Sequence, residues 1–383
     1  MHQPFFFLKS SNLAPEYIKF SGIRQKTCDL INNLPKFSRY MLKGFFTYLS
    51  IGILLLTLTL KRCYSQGEES HSVRIMFYNV ENLFDIYDDS ITDDNAYLPD
   101  ALMRWNLSRY KEKINSIFKT IVAAGEWYPP AIIAFCEIEN RKVLEDLIYG
   151  TNLSKYNYRI IHEESPDRRG IDVCLIYRKD IADIICYRYW IPSEIKRQAF
   201  NSRSVLYTKL AIMSDTIHMF VNHWPSRRGG VLAGQTYRHQ IAVMIREKVD
   251  SILERDHSGA RVIILGDFNC TPDDKVIKSL IFSSDTAKSL INLSESLNEN
   301  GVGTYRYMGT WEMIDQVIIS KPLLLCKEGL FTEPNLLRIF KPDFLIKKDP
   351  KYPGFSPLST YRGYKYQGGF SDHLPILLDL NIR

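Results

Sequence analysis

The sequence predicts an α/β fold with four layers, in which two mixed, mainly antiparallel sheets pack face to face between outer helices. Short apolar runs rich in β-branched and aromatic residues outnumber helical patterns. Many of these runs follow one another without a helix between them, which argues against one doubly wound sheet built by simple strand–helix alternation. No internal repeat is present.

The predicted elements follow from these patterns. Strands are expected at 73–80, 131–138, 158–163, 172–178, 205–213, 216–224, 261–268, 313–320 and 374–380. Helices are expected at 107–125 after the cap Asn106, at 141–150, at 235–256, and at 271–281 with Thr271 as cap and Pro272 as first residue. The loops 85–105 and 334–370 are long, and loops of that length are usually functional or mobile.

The composition is that of a globular protein. The chain has 383 residues, of which 45% are hydrophobic and 24% charged, and this excludes a disordered or collagen-like chain. Residues 1–65 contain nine Lys and Arg against two Asp and Glu, whereas the rest of the chain has a net charge of −1. The overall charge of +6 is therefore not a basic footprint on the folded part, and any attraction of polyanions must be local.

An uncharged apolar run spans residues 44–60, with Lys43 before it and Lys61 and Arg62 after it. The run is longer than the apolar core of a typical signal peptide and shorter than a typical membrane-spanning helix. Its length alone therefore does not decide between a signal peptide and a membrane anchor.

Neighbouring residues favour an export signal. Met41 can serve as a start that leaves a short basic segment, and Cys63 and Ser65 stand at −3 and −1 of a cut before Gln66. We therefore expect a periplasmic or extracellular protein, with retention by a membrane anchor at 44–60 as the alternative.

Five cysteines follow residue 66 and form no CxxC pair: Cys136, Cys174, Cys186, Cys270 and Cys326. They are expected to be buried and to pack as small apolar residues, and one disulfide is an alternative if the protein is exported. They do not indicate a structural zinc site.

Polar residues suited to metal binding or acid–base chemistry stand at the ends of the strongest strands. They are Asn79, Glu137, His223, Asp267, Asn269, Asp315 and the pair Asp372 and His373. One such residue usually only forms a turn. So many together, with oxygen and imidazole donors, instead indicate a site for Mg²⁺, Mn²⁺ or Ca²⁺.

Several motifs resemble the endonuclease/exonuclease/phosphatase superfamily, which includes pancreatic-type deoxyribonucleases, abasic-site endonucleases, neutral sphingomyelinases and inositol polyphosphate 5-phosphatases. The motifs are YNVENLFD, CEIEN, RRGIDVCLIYR, VNHWPSRRGG, ILGDFNCTPDD, TYRYMGTWEMIDQVIIS and FSDHLPILLDL, and the resemblance covers residues 73–383. GDFN and SDHLP in this order are specific as a pair. The resemblance implies the same four-layer sandwich.

The resemblance also implies a metal site. Glu137 matches the metal-binding glutamate of the superfamily, Asn79 its companion asparagine, and Asp372 the aspartate near the metal. Mg²⁺ is the expected cation, with Mn²⁺ or Ca²⁺ open. A phosphoester substrate is an anion, so a divalent cation and hydrogen-bond donors would neutralise the charge that develops as water attacks.

The catalytic roles follow by the same resemblance. Asp267 matches the aspartate that orients or deprotonates water, and Asn269 the asparagine that binds a phosphoryl oxygen. His373 matches the general base or phosphate contact, and Asp315 the carboxylate that hydrogen-bonds it. His223 matches a second histidine that protonates the leaving oxygen.

Substrate contacts are less defined. Arg227 and Arg228 are candidates for a second phosphate contact or are solvated surface residues, and Asp172 either lies near the site or caps its strand. The chain departs from many relatives at Gln316, where they carry histidine, and in the segment around Arg203, which lacks a proline often found there.

We therefore expect residues 1–65 to be a tail with a signal peptide or anchor, and residues 66–383 to form a monomeric catalytic domain. The expected function is that of an exported, nuclease-like phosphoesterase. A sphingomyelinase or phospholipase C-like enzyme and an inositol-phosphate phosphatase are alternatives, and a binding module without activity is a remote one. The expected partner is a nucleic acid, a phospholipid or an inositol phosphate.

Overall fold

The computed structural model describes residues 72–192, 201–227, 234–256, 259–326 and 328–382, together with a few separate residues between Pro35 and Gly52. Contacts divide the chain into two units, Met1–Glu69 and Ser70–Arg383, and the description below concerns the second. Most of the apolar run 44–60 and the expected cut before Gln66 lie outside the described residues. Among the residues described, no helix combines the length and apolarity needed to cross a bilayer.

The strands are given in chain order. They are β1 Val73–Leu83, β2 Ile132–Ile138, β3 Tyr158–Ile161, β4 Asp172–Arg178, β5 Ala182–Trp190, β6 Val205–Ile212, β7 Asp215–His223, β8 Arg261–Asp267, β9 Leu290–Asn292, β10 Tyr305–Tyr307, β11 Thr310–Glu312, β12 Asp315–Ser320, β13 Leu330–Phe331, β14 Leu337–Ile339, β15 Ile346–Lys348, β16 Phe355–Pro357, β17 Tyr361–Arg362, β18 Lys365–Tyr366 and β19 Ile376–Ile382.

The helices lie between these strands. They are α1 Leu107–Gly125, α2 Arg141–Tyr149, α3 Gln235–Arg255, α4 Lys275–Ile281, α5 Glu295–Glu299 and α6 Pro322–Leu325. Short 3₁₀ turns occupy Asn95–Tyr97, Asn152–Tyr156, Thr286–Lys288, Pro334–Leu336 and Asp343–Leu345. Helix α1 begins as predicted, because the Asn106 side chain accepts the backbone N–H groups of Ser108 and Arg109.

Within the described ranges the strands form two large sheets and three small hairpins. The first sheet has the order β13-β19-β1-β2-β4-β3, with β14 also paired to β19, and the second has the order β5-β6-β7-β8-β12-β9. The pairs β1–β2 and β7–β8 are parallel and their neighbours are antiparallel. Both sheets are therefore mixed and mainly antiparallel, as the sequence predicts.

The alternation of side chains along the strands builds the four layers. In β1, Ile75 and Phe77 join the apolar core between the sheets, where they share a cluster with Met219 and Leu265 of the second sheet. Met76 and its alternate neighbours face the other way and pack with residues of α1 and α2. A third cluster covers the outer face of the second sheet with α3 and α4. The predicted four-layer sandwich is confirmed.

One predicted helix boundary is wrong, and one long strand is absent from the predicted elements. Helix α4 begins at Lys275, not Pro272, because Asp274 is its N-cap and Thr271 belongs to the preceding turn, where its N–H donates to the Asp274 carboxylate at 2.8 Å. Strand β5 is missed by the sequence patterns. It pairs only with β6 in the described structure, and its mixed exposure weakens the apolar alternation.

The cysteine and loop predictions can also be compared with the structure. All five cysteines after residue 66 are free thiols, and Cys136, Cys174 and Cys270 are buried. The loop 334–370 contains strands β14 to β18, so it is more ordered than its sequence suggests.

Candidate active site

The candidate site lies where chemically active strand ends of both sheets meet. In the second sheet, β7 and β8 are parallel, so His223 and Asp267 stand side by side at their carboxyl ends. Strand β12 runs the other way, and its first residue, Asp315, pairs with Asp267. Antiparallel pairing thus brings the start of β12 to the same edge.

In the first sheet, two irregularities shape the site. The β1–β2 register shifts between Asn79 and Leu83, and the β2–β4 register shifts between Cys136 and Ile138. Glu137 lies in the second irregularity with φ +64°, a conformation that costs free energy in a non-glycine residue. The Asn82 N–H donates to Glu137 Oε2 at 2.8 Å. The irregularity in β1 thus fixes the Glu137 side chain, which projects from the irregularity in β2.

A cleft of about 540 Å³ opens at this edge. It is lined by Asn82, Glu137, Arg169, His223, Ser226, Arg227, Asp267, Asn269, Tyr305, Tyr307, Glu312, Ile314, Asp372 and His373. The cleft thus gathers six of the residues proposed from the strand ends, Glu137, His223, Asp267, Asn269, Asp372 and His373, together with Arg227. Asn79 and Asp315 are buried behind it.

Asp315 and His373 form a short side-chain contact at the back of the site. Asp315 Oδ2 lies 2.8 Å from His373 Nδ1, and His373 Nε2 lies 3.9 Å from Asp267 Oδ2. Burial disfavours the charged imidazole, but Asp315 and then Asp267 and Asp372 outweigh it and raise the pKa of His373 well above its usual value. The Tyr305 ring lies against the imidazole, with centroids 4.9 Å apart.

Asp267 is held by amide groups. Asn79 Nδ2 donates to its Oδ2 at 3.1 Å, and the Asn269 N–H donates to its Oδ1 at 2.8 Å. Burial raises the pKa of Asp267, His373 lowers it in part, and the nearby carboxylates of Asp315 and Glu137 raise it again. The ionised form of Asp267 would therefore be stabilised by additional positive charge.

Gly266 allows β8 to approach β7 just before Asp267. A Cβ built at this position would lie 2.1 Å from the Asn222 carbonyl oxygen, and φ is +144°. The glycine of the GDFN motif is therefore required by backbone packing.

His223 lies between two carboxylates. Its Nε2 is 3.6 Å from Asp267 Oδ2 and 3.8 Å from Glu137 Oε1. Burial lowers the pKa of His223 well below its usual value, and Arg203 and Arg169 lower it further. Burial thus favours the neutral imidazole, which can still donate one N–H to a leaving oxygen.

A basic group borders His223, and sequence reasoning missed its cleft-facing member, Arg169. Asp167 Oδ2 accepts a hydrogen bond from buried Arg203 at 3.0 Å, and Asp167 Oδ1 lies 3.5 Å from Arg169 Nε. Arg203 also donates to the Trp224 carbonyl at 2.7 Å. The only sequence signal for Arg169 was its place in the RRGID motif.

The other sequence candidates have different surroundings. Arg227 donates through Nε to the Asn269 carbonyl at 2.8 Å, and Arg228 lies outside the described residues. Asp172 is buried and contacts His162 Nε2 at 3.0 Å, and it is not among the described residues that line the cleft.

Gln316, where many relatives carry histidine, forms hydrogen bonds through both ends of its side-chain amide. Its Nε2 donates to the Cys270 carbonyl at 2.5 Å, and its Oε1 accepts from Asn292 at 2.7 Å. It therefore braces the loop after β8.

The donor atoms fit a hard divalent cation. Glu137 and Asp372 offer carboxylates at the cleft, and Asp267 lies in surroundings that favour added positive charge. Cys136 lies close to His223 and Asp267, but burial raises the pKa of its thiol well above the usual value, which disfavours a thiolate ligand. The Asn79 amide is engaged with Asp267 and with the Glu81 N–H at 3.0 Å.

Comparison with known proteins gives a family match over most of the chain. Residues 74–382 match the sequence model of the Endonuclease/Exonuclease/phosphatase family. A comparison with curated proteins found no significant match.

Solved structures share the fold. Humanized D. rerio TDP2 has a TM-score of 0.51 at 11% identity, covering 81% of this chain and 99% of its own. An endonuclease/exonuclease/phosphatase from Bacteroides vulgatus has 0.50 at 15%, covering 82% and 99%. A Bacteroides thetaiotaomicron mannosyl-6-phosphatase has 0.50 at 14%, covering 80% and 99%. At these identities the likeness concerns the fold alone.

Proposed function

Since the chain belongs to the Endonuclease/Exonuclease/phosphatase family and is a phosphoric ester hydrolase, we propose that it uses a divalent cation, Mg²⁺ first, to cleave a phosphodiester by in-line attack of water. The observation that carries this proposal is the meeting of Glu137, Asp267 and His373 at one cleft, with Asp315 hydrogen-bonded behind His373. These groups combine a charged oxygen ligand, a carboxylate for water and a supported imidazole.

Glu137 and Asp372 are the residues proposed to hold the cation, with Asn79 supporting Glu137 and Asp267 from below through its amide. Glu137 is kept in place by the Asn82 N–H. When bound, the cation would polarise the phosphoryl group and offset the negative charge that builds up during attack.

The remaining roles follow from position. Asp267 is fixed by two amides and is the carboxylate proposed to orient and deprotonate water. His373, kept protonated by Asp315, contacts a phosphoryl oxygen, and Asn269 offers a second amide contact. His223 is proposed to donate its N–H to the leaving oxygen.

Nuclease-like hydrolysis is our preferred reading, and it depends on local charge. Arg169 and Arg227 line the cleft and can bind phosphate oxygens that flank the cleaved bond. The folded part as a whole is close to neutral and offers few cationic contacts, so we expect moderate affinity with a modest dependence on salt.

A panel of substrates tests this proposal. Purified residues 66–383 would be assayed on plasmid DNA, RNA, bis-p-nitrophenyl phosphate, sphingomyelin, inositol phosphates and a hexose 6-phosphate, with and without EDTA. Protein carrying Asp267→Asn, purified identically, controls for contaminating nucleases. Cleavage of DNA or RNA that stops with EDTA is the expected result.

Other outcomes would redirect or reject the proposal. Cleavage of sphingomyelin alone would indicate a phospholipase C-like enzyme instead of a nuclease. Cleavage of monoesters alone would indicate a phosphatase. Folded protein that cleaves none of these substrates would contradict the proposed function.

We also propose export, supported by the apolar run 44–60 and the small residues before Gln66. Amino-terminal sequencing of protein from a secreting host should find a start near Gln66. Full-length protein retained in membranes would favour the anchor instead.

A further inference from the structure

Lys113 is a buried lysine on α1 that the proposed reaction does not use. Its side chain is almost fully enclosed, with 1% of the residue exposed. Lysines are rarely buried unless their charge is paired or hydrogen-bonded, because removing an ammonium group from water is costly. Lys113 Nζ donates to Thr360 Oγ1 and to the Phe370 carbonyl at 2.6 Å.

Glu81, a buried carboxylate, holds the same segment from β1. It accepts the N–H of Thr360 at 2.6 Å and the N–H of Tyr361 at 3.0 Å. Its φ of +53° places it in the bulge that follows Asn79. An acidic residue in this strained backbone position thus serves residues that are far away in sequence.

Both side chains bind the neck of loop 358–371, which is the place where the two ends of the loop meet beside the site. The loop, 358–371, closes where the N–H of Phe370 donates to the Leu358 carbonyl at 2.6 Å. Gly369 permits this closure, because a Cβ there would lie 2.2 Å from the carbonyl oxygens of Leu358 and Ser359. Lys113 and Glu81 therefore tie Thr360 on one side of the neck and Phe370 on the other.

The neck leads directly into the site. Ser371 Oγ donates to the Asn79 carbonyl at 2.7 Å and accepts the His373 N–H at 3.0 Å. Asp372 and His373 follow Phe370 with no flexible spacer, so a shift of the Phe370 carbonyl would reach both.

We propose that Lys113 and Glu81 are positioning residues that clamp the neck of loop 358–371 and so fix Asp372 and His373 for the reaction. The catalytic part of this inference rests on the proposed function. Displacements of about 1 Å in a reacting group can cost on the order of a hundredfold in rate. Loss of the clamp should therefore lower kcat more than it changes KM.

The test compares Lys113→Met with Arg74→Met. Arg74 is also a largely buried cation, paired with Asp379 at 2.7 Å, but it lies near the start of β1, away from the bulge after Asn79. Both variants should unfold at lower temperature. Only Lys113→Met should lower kcat, by roughly 10- to 100-fold, while KM changes less than about threefold.

A second readout needs neither metal nor substrate. Long-range ¹H–¹⁵N spectra of EDTA-treated, histidine-labelled protein report the protonation of both ring nitrogens, with His373 assigned from His373→Gln. Lys113→Met should change the ¹⁵N shifts of His373 toward those of a mobile imidazole that exchanges between protonation states. Arg74→Met should leave these shifts unchanged. If Lys113→Met does not fold, Thr360→Val, which removes one acceptor and keeps both charges, carries the same comparison with a smaller effect.

The results separate the two proposals. Equal kcat losses in both variants, with an unchanged His373 spectrum, would overturn the positioning role and leave Lys113 purely structural. If the wild-type protein hydrolyses no phosphoester, the proposed function fails, and the spectra still decide whether Lys113 fixes His373.

Discussion

Asp315 Oδ2 lies 2.8 Å from His373 Nδ1, and this contact joins the two sheets. Asp315 is the first residue of β12 in the second sheet, whereas His373 precedes β19 in the first. Both residues are buried, so each change to the pair acts in surroundings where electrostatic interactions are strong. The site therefore depends on how the sheets pack as well as on each strand end.

The pair should behave as one unit in catalysis. Asp315→Asn should lower the rate by about 10²–10⁴, the range for losing a positioned acid–base group, and His373→Ala should lower it at least as much. The double variant should be little worse than the worse single variant. Rates and thermal midpoints of all three variants check this, and strictly additive losses would refute the coupling.

Arg169 should contribute to substrate binding. It lines the cleft, and Arg169→Met should raise KM by about tenfold or more, because a charge-assisted hydrogen bond contributes about 1.5–3 kcal/mol. Its neighbour Arg168 is a matched control, since its side chain is 76% exposed and contacts Asp93. Arg168→Met should leave KM unchanged, and equal effects of both substitutions would mean that only general charge matters.

His218 should make stability depend on pH away from the site. Burial, with a smaller effect of Lys209, lowers the pKa of His218 to about 4, and its Nδ1 contacts the Tyr207 hydroxyl at 2.8 Å. In the unfolded chain this imidazole has a pKa near 6.5. The contribution of His218 to the free energy of unfolding is therefore fully present above pH 6.5 and is lost as the pH drops toward 4.

His218→Gln should therefore reduce the loss of thermal midpoint between pH 6.5 and pH 4, on the order of 5 °C less than in the wild type. The exposed His239 of α3 provides the control variant His239→Gln. The same slope in wild type and His218→Gln would show that other groups govern this range.

Gly266 should be intolerant of any side chain. Gly266→Ala would place a Cβ 2.1 Å from the Asn222 carbonyl oxygen, which forces β7 and β8 apart beside His223 and Asp267. We expect a loss of about 3 kcal/mol or more in the free energy of unfolding. Gly301→Ala is a control with positive φ but open space, and denaturant unfolding of both variants measures the difference.

Much of the fold and the site could be predicted because strand patterns are local. Apolar strand patterns predicted strand ends at Asn79, Glu137 and Asp267, and the family motifs added their roles. Strand β1 instead continues through a bulge after Asn79 to Leu83. The pairing of Asp315 with His373 spans 58 residues, and only the resemblance indicated it before the structure showed the contact.

Other features depend on tertiary contacts that no local pattern contains. Arg168 and Arg169 are adjacent and identical in sequence, yet only Arg169 lines the cleft. Lys113 looks like a solvated lysine in the run YKEK, but loop 358–371 folds over it. The start of α4 shifted because the Asp274 carboxylate binds the Thr271 N–H and closes a turn first.

Metal-assisted hydrolysis is tested by a Mg²⁺ titration of EDTA-treated protein on its best phosphodiester substrate. Wild-type protein should be inactive in EDTA and regain its rate with Mg²⁺, whereas Glu137→Gln should stay at least about 100-fold slower at the same Mg²⁺ concentration. Glu145→Gln, in a surface ion pair with Arg141, should match the wild type. A full rate in EDTA, or a wild-type rate for Glu137→Gln at limiting Mg²⁺, would contradict the proposed metal-assisted mechanism.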